Sequence, residues 1–137
     1  MMKTDKEYEL AKKQLSKLTE LYETQLKDLK SKGLSDKEAK SSLSSSWTYA
    51  MQCKEEVELY EKLKKGELPP MEHFSSMGKY FVAARIARGM TQRELAEKLG
   101  VNESAVSRDE RNEYHGMSVQ KMDKLLHALK LKLRVTA

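Results

Sequence analysis

Between residues 102 and 111 the sequence sets Glu103, Ser104, Ser107, Arg108 and Arg111 three and four positions apart, so that on a helix they share one face, pointing away from Val106. Short hydroxyls, a carboxylate and two guanidiniums are groups that hydrogen-bond rather than make covalent bonds. A guanidinium fork matches the paired acceptors of guanine or a phosphate, so this face suits base edges and the DNA backbone. Bond-making chemistry finds no support elsewhere. His73, His115 and His127 share no metal-ligand spacing with one another or with Cys53, and no glycine loop suits a phosphate. The methionines Met77, Met90, Met117 and Met122 read as core filler, and the three histidines as surface or capping groups. The expectation is a non-enzymatic protein with no cofactor and no metal.

Such a face has to be carried by a rigid neighbour, and the residues before it supply one. Thr91 can cap a first helix with Glu94 three places on, a capping box. Leu95 and Leu99 fall on one side of that helix, and Ala96 is small enough to let a second helix cross closely. Gly100 can take the left-handed conformation at the helix end. Asn102 is placed to cap the second helix, and Val101 and Val106 are expected to return to the core. Two short helices joined by a glycine turn are the sequence form of a helix-turn-helix.

The stretch from 90 to 111, MTQRELAEKLGVNESAVSRDER, resembles the lambda-repressor-like XRE family, whose core runs T-Q-x-E-L-A-x-x-L-G-V-x-x-S-x-V-S-R-x-E. Thr91, Gln92, Glu94, Leu95, Ala96, Leu99, Gly100, Val101, Ser104, Val106, Ser107, Arg108 and Glu110 match it in order. The resemblance covers residues 77–137 and implies a bundle of four or five helices. Residues 78–89 would be the opening helix with Phe81, Val82 and Ile86 inward. Residues 118–129 would be the closing helix, with Val119, Met122, Leu125, Leu126 and Leu129 as its apolar face. In this family an arginine of the first helix pairs with the glutamate ending the recognition helix, which implies a structural ion pair between Arg85 and Glu110.

The resemblance further implies that residues 102–111 enter the major groove of double-stranded operator DNA, as a homodimer with half-sites about one helical turn apart. Arg108 is then the candidate for a bidentate guanine contact, with Glu103 and Ser104 selecting the neighbouring base. Asn102, Ser107 and Arg111 become phosphate contacts, which position without specifying. Gln92 touches a phosphate or buttresses the recognition helix. One residue departs from the pattern: Asp109 stands where the family places a bulky apolar side chain. An acid there must be paired or reach water, so the end of the recognition helix is expected to be tilted or more exposed.

Charge distribution agrees with this division of labour. The chain of 137 residues has a net charge of +5, and all six arginines lie at or beyond Arg85. Residues 71–137 carry 12 basic and 8 acidic side chains, against 14 and 13 in residues 1–70. A single cysteine excludes an internal disulfide. A charged N-terminus and the lack of a long apolar run predict neither a signal peptide nor a membrane span, and hence a cytoplasmic protein, nucleoid-associated when bound to DNA.

The first half reads differently. Tyr8, Ala11, Leu15, Leu18, Tyr22, Gln25 and Leu29 form a heptad-like row, flanked by Leu21 and Leu26. Gly33 offers a stop, Ser35 and Glu38 form a second capping box, and Ala39, Leu43, Ser46, Ala50, Cys53, Val57 and Tyr60 continue as a second row beside Trp47 and Leu63. The expectation is an antiparallel, coiled-coil-like hairpin of two helices, each about 28 residues and 40 Å long at 1.5 Å per residue, over residues 1–68. Gly66, Pro69 and Pro70 mark a linker over 69–76, and the helix-turn-helix domain follows over 77–137. A two-helix hairpin has little core of its own, so its apolar face calls for a second copy, the DNA-binding half or a separate protein, unless the arm is a solvated spacer.

The final residues 130–136 alternate Lys, Leu, Lys, Leu, Arg, Val, Thr, which is strand periodicity. A lone strand leaves its backbone unpaired, so pairing with a twofold mate across a dimer is one expectation and extension of the closing helix the other. Antitoxins of the HigA and HipB type are similar in this ending. The fold class expected is therefore mainly α, with a short C-terminal strand as its only β element. Three functions remain: a repressor that is the antitoxin of a toxin pair, a phage or mobile-element repressor without a toxin, or a protein-binding scaffold that does not use DNA.

Overall fold

A computed structural model describes residues 1–136, and among these the regular structure is helical throughout, with no strand. Seven α-helices follow one another: α1 (Asp5–Ser31), α2 (Asp36–Ser42), α3 (Ser44–Lys64), α4 (Met77–Ala87), α5 (Gln92–Leu99), α6 (Glu103–Arg111) and α7 (Val119–Ala128). One 3-10 turn, Phe74–Ser76, leads into α4. The chain divides into two compact units, with the division inside α3 between Tyr60 and Glu61. The last turn of α3 and the segment containing Pro69 and Pro70 therefore go with the C-terminal unit.

In the N-terminal unit, α1 begins where the Thr4 hydroxyl accepts a hydrogen bond from the Glu7 amide at 3.3 Å. After Gly33, at φ 95°, the Ser35–Glu38 capping box closes in both directions at 2.9 and 3.2 Å and starts α2. The arms run antiparallel, because contacts pair the start of α1 with the end of α3 and its end with the start of α2. Tyr8 stacks on Tyr60 at 5.2 Å, and Tyr22 meets Trp47 at 4.9 Å. The Tyr60 hydroxyl donates to Asp5 and the Gln14 amide to the Tyr49 hydroxyl, both at 2.9 Å. Next to the turn, Lys30 and Asp36 form an ion pair.

The second arm is not the single helix of about 28 residues that periodicity suggests. It breaks at Leu43, whose backbone turns to φ −102°, ψ 12° within the run Ser41-Ser42-Leu43-Ser44-Ser45-Ser46. Serine is a weaker helix former than alanine or leucine, and five serines flank Leu43, so the local weakness falls there. Burial is thin. Ala39, Ala50, Val57 and Tyr60 are buried, α1 contributes no buried residue, and Gln25, Ser46, Leu21 and Trp47 of the expected rows are exposed.

The C-terminal unit packs more densely. Phe81, Val82, Ala84 and Ile86 of α4 are buried with Leu95, Ala96, Val106, Leu125 and Leu129. Gly78 is obligatory: a Cβ there would lie 1.7 Å from the Glu113 carbonyl oxygen, so α4 touches the backbone that follows α6. That backbone turns through Glu113 and Tyr114, both with φ near +50° (51° and 52°), and the Tyr114 amide returns to the Asp109 carbonyl at 2.8 Å.

Three expectations are corrected here: burial of Val101, burial of Val119 and extension of the closing helix. Val101 is exposed, because the left-handed turn at Gly100 directs it outward before α6 begins; Val119 is exposed because it opens α7 ahead of the face that meets the core. The C-terminal alternation forms no ladder among the described residues, and the closing helix does not extend either. Lys130 turns to φ 52°, the Leu131 amide bonds the Leu126 carbonyl at 2.8 Å, and the Arg88 guanidinium donates to the Leu129 and Lys130 carbonyls at 3.2 and 3.3 Å. These bonds are a helix stop, and within one chain the residues beyond it have no strand to pair with.

Candidate nucleic-acid interface

The site is assembled from α4, α5 and α6. The Thr91–Glu94 capping box is complete: the Thr91 amide donates to the Glu94 carboxylate at 2.7 Å and the Glu94 amide to the Thr91 hydroxyl at 3.1 Å. These bonds favour the charged form and hold the Glu94 carboxyl below its ordinary range, the backbone bond contributing most. At the other end Gly100 sits at φ 68°, and the Val101 amide reaches the Ala96 carbonyl at 3.0 Å. Leu95 and Ala96 are buried, and α5 packs on α6.

Helix α6 is anchored on its inner side by Val106 and by Glu110, which is completely buried. A carboxylate in that position requires partners, and it has three donors. Arg85 forms a fork onto it, Nε to Oε1 at 2.5 Å and Nη2 to Oε2 at 2.9 Å, and the Gln92 amide adds a bond at 2.7 Å. The remaining reach of Arg85 goes to the Met90 carbonyl at 2.7 Å. One buried cluster thus fixes α4, the start of α5 and the end of α6 relative to one another.

The outer side of α6 is the exposed one. Glu103, Ser104, Arg108 and Arg111 are exposed and Ser107 is half-buried. Arg108 lies along its own helix, with Nε 3.3 Å from the Ser104 carbonyl. Asn102 occupies the cap position of α6, but its side chain makes no capping hydrogen bond, contrary to the capping expectation; it is exposed ahead of the first turn. Gln92 is apart from this surface in one respect, since its amide nitrogen is committed to Glu110.

Asp109 finds its partner in a residue that the sequence motif does not indicate. Its carboxylate pairs with the Lys121 ammonium of α7 at 2.5 Å, at a side chain still 31% exposed, and helix α6 continues unbroken to Arg111. The signal was there in part: an acid where an apolar side chain is usual calls for a cation on the facing element. Tyr114, also absent from the motif, is buried edge-on against Phe81 with centroids 5.9 Å apart, and its hydroxyl has no hydrogen-bond partner among the described residues. Burial pushes its phenol well above the ordinary range, with Glu110 and Asp109 adding to the shift and Arg85 opposing it. No cluster of metal-ligating side chains occurs among the described residues.

A family model described as Helix-turn-helix matches residues 82–135. Residues 82–135 belong to the helix-turn-helix family. The match takes in most of α4, then α5, α6, α7 and the segment beyond, and the N-terminal hairpin lies outside it. This matched segment is a helix-turn-helix domain of the XRE type, a DNA-binding regulatory fold, with α5 and α6 as its two packed helices. No curated protein and no solved structure matches the chain. None of the described helices is long and apolar enough to cross a membrane.

Proposed function

We propose that the protein is a sequence-specific transcriptional repressor that binds a twofold operator as a homodimer. The observation that carries this reading is the asymmetry of α6: its inner side is locked by the buried Arg85–Glu110–Gln92 cluster, and its outer side presents Glu103, Ser104, Arg108 and Arg111 to solvent. A rigid helix with an exposed polar face is what major-groove reading requires. Arg108 makes the bidentate guanine contact once it leaves its own helix, and Glu103 and Ser104 select the adjacent base. Asn102, Ser107 and Arg111 contact phosphates; Gln92 acts through Glu110 as a positioning residue and meets a phosphate only through its second amide N–H.

Selection from a random DNA pool, followed by footprinting, tests this reading. Two protected half-sites about one helical turn apart are expected, with binding that weakens steeply as salt rises. Arg108→Ala should cost about 1–3 kcal/mol on the selected operator and little on random DNA. Salt-independent binding, or no binding to any DNA, overturns the reading and favours a protein-binding scaffold.

A finer version makes the repressor the antitoxin of a toxin pair, with the hairpin holding the toxin. Exposed Leu10, Leu21, Trp47 and Tyr49 on the hairpin favour a protein partner for that unit. Co-purification with a small basic protein encoded beside it supports the antitoxin version; a clean homodimer that shifts its own promoter supports a phage or mobile-element repressor.

A further inference from the structure

We propose that the C-terminal unit holds a binding site for a small amphipathic organic anion, a carboxylate on a short apolar chain, between α4, α7 and the segment after α7. A cavity of about 230 Å³ lies there, walled by Met71, Met77, Phe81, Leu126 and Leu131. Its volume falls between the roughly 150 Å³ of an apolar void that takes up benzene and the roughly 300 Å³ at which drug-sized pockets begin. The wall suits a hydrocarbon chain. Lys132 and Arg134 also line the cavity, and both are exposed, so a charged group at that end stays in reach of water.

Among the described residues nothing compensates the charge at this opening. No carboxylate lines the cavity, and neither Lys132 nor Arg134 joins an ion pair among the described residues, whereas Arg93, Lys121 and Lys40 each do. Two cations beside an apolar wall select an anion with an apolar tail over a neutral hydrocarbon. A second copy of the chain fits the same surface poorly, because twofold pairing through it would bring the Lys132 and Arg134 side chains of both copies together.

The site has a short route to the recognition helix, a step that rests on the DNA-binding reading above. Phe81 lines the cavity and meets Tyr114 edge-on at 5.9 Å, and Tyr114 belongs to the turn that ends α6. A chain pressed against Phe81 acts on that turn through one ring contact. The buried Tyr114 hydroxyl, with no partner among the described residues, leaves that contact without a directional bond to resist the shift.

The test uses the full chain labelled with ¹³C at its methionine methyls and titrated with octanoate. Saturable shifts of Met71 and Met77, with Met51 of the hairpin unmoved, are expected. Octan-1-ol should bind about tenfold more weakly, and the double variant K132E/R134E should weaken octanoate about tenfold while leaving octan-1-ol unchanged. Both replaced side chains are exposed, so the fold is preserved. No shift at Met71 and Met77, equal affinity for acid and alcohol, or a dimer that closes the cavity against octanoate each overturns the site. DNA binding measured on the same samples keeps the two readings apart. Octanoate binding without any DNA binding upholds the site and sinks the repressor reading, and operator affinity unchanged by saturating octanoate overturns the route through Phe81.

Discussion

The two units reach stability by different means. In the hairpin the buried side chains are few and mostly small, Ala39, Ala50, Val57 and Tyr60 among them, and the arms are registered by directional contacts such as the Tyr8–Tyr60 stack and the Gln14–Tyr49 hydrogen bond. In the helix-turn-helix domain Phe81, Leu95, Val106, Leu125 and Leu129 are all below 2% exposed around a buried ion pair. Directional surface contacts set a register but exclude little water, so they add modestly to stability. A close-packed core does the reverse: it stabilises strongly and tolerates little change. The hairpin is therefore held mainly in register, and the domain is packed to hold one helix still.

The sharpest way to break that contrast is Glu110→Ala. It leaves the Arg85 guanidinium buried without its counter-charge and should destabilise the domain by about 3–5 kcal/mol. Trp47 is the only tryptophan and lies in the hairpin, so its fluorescence follows that unit alone. The expected result is a domain transition, followed by methionine-methyl NMR at Met77, that moves to much lower denaturant while the Trp47 transition holds. A common shift would mean that the two units unfold as one. Gly78→Ala comes next, at about 1–3 kcal/mol, because its Cβ must displace the Glu113 backbone rather than a flexible side chain. Chemical denaturation of the purified variant checks it, and an unchanged midpoint would show that the α4 contact with this turn is slack.

Much of this architecture was legible in the chain because it is local. The boxes Ser35–Glu38 and Thr91–Glu94, the turn at Gly100 and the phase that puts Val106 inside and Arg108 outside all follow from residues within a few positions of one another. What escaped depends on distant or competing partners. The break at Leu43 sets helix periodicity against a run of serines, weak helix formers, which the period of the apolar rows cannot reveal. Lys121 meets Asp109 only because α7, packed on α5, brings its first turn to α6, and Gly78 is needed only because Glu113 arrives there. The alternation after Lys130 has the strand period, yet periodicity does not supply a second strand.

Tyr114→Phe probes the domain from the opposite direction. The hydroxyl is buried with no partner, so its removal should stabilise the domain by about 1 kcal/mol at neutral pH. The pH dependence gives a second handle. The folded state holds the phenol proton above its ordinary range, while the unfolded chain releases it near pH 10. This contribution is fully present below about pH 10 and is lost as pH rises further, since only the unfolded state then gains from ionisation. Wild-type denaturation midpoints should fall in that alkaline window more steeply than those of Tyr114→Phe, and equal slopes would place the ring in water.

The smallest expected effect lies at the hairpin turn. Hydrogen bonds from Lys30, then Lys40, lower the Asp36 carboxyl to about 2, against an ordinary value of 3.8. A depressed folded value stabilises above the unfolded one and is lost as pH falls through the folded one, so this contribution fades between pH 4 and 2. Both ion pairs are open to solvent, with Asp36 54% exposed, so salt should screen them. Asp36→Asn should therefore shift the Trp47 transition slightly at low ionic strength and not at high, leaving the domain transition where it was. If the shift survives high salt, Asp36 acts as a first-turn acid at the N-terminus of α2 through short-range bonds, and the hairpin turn is held by more than surface charge.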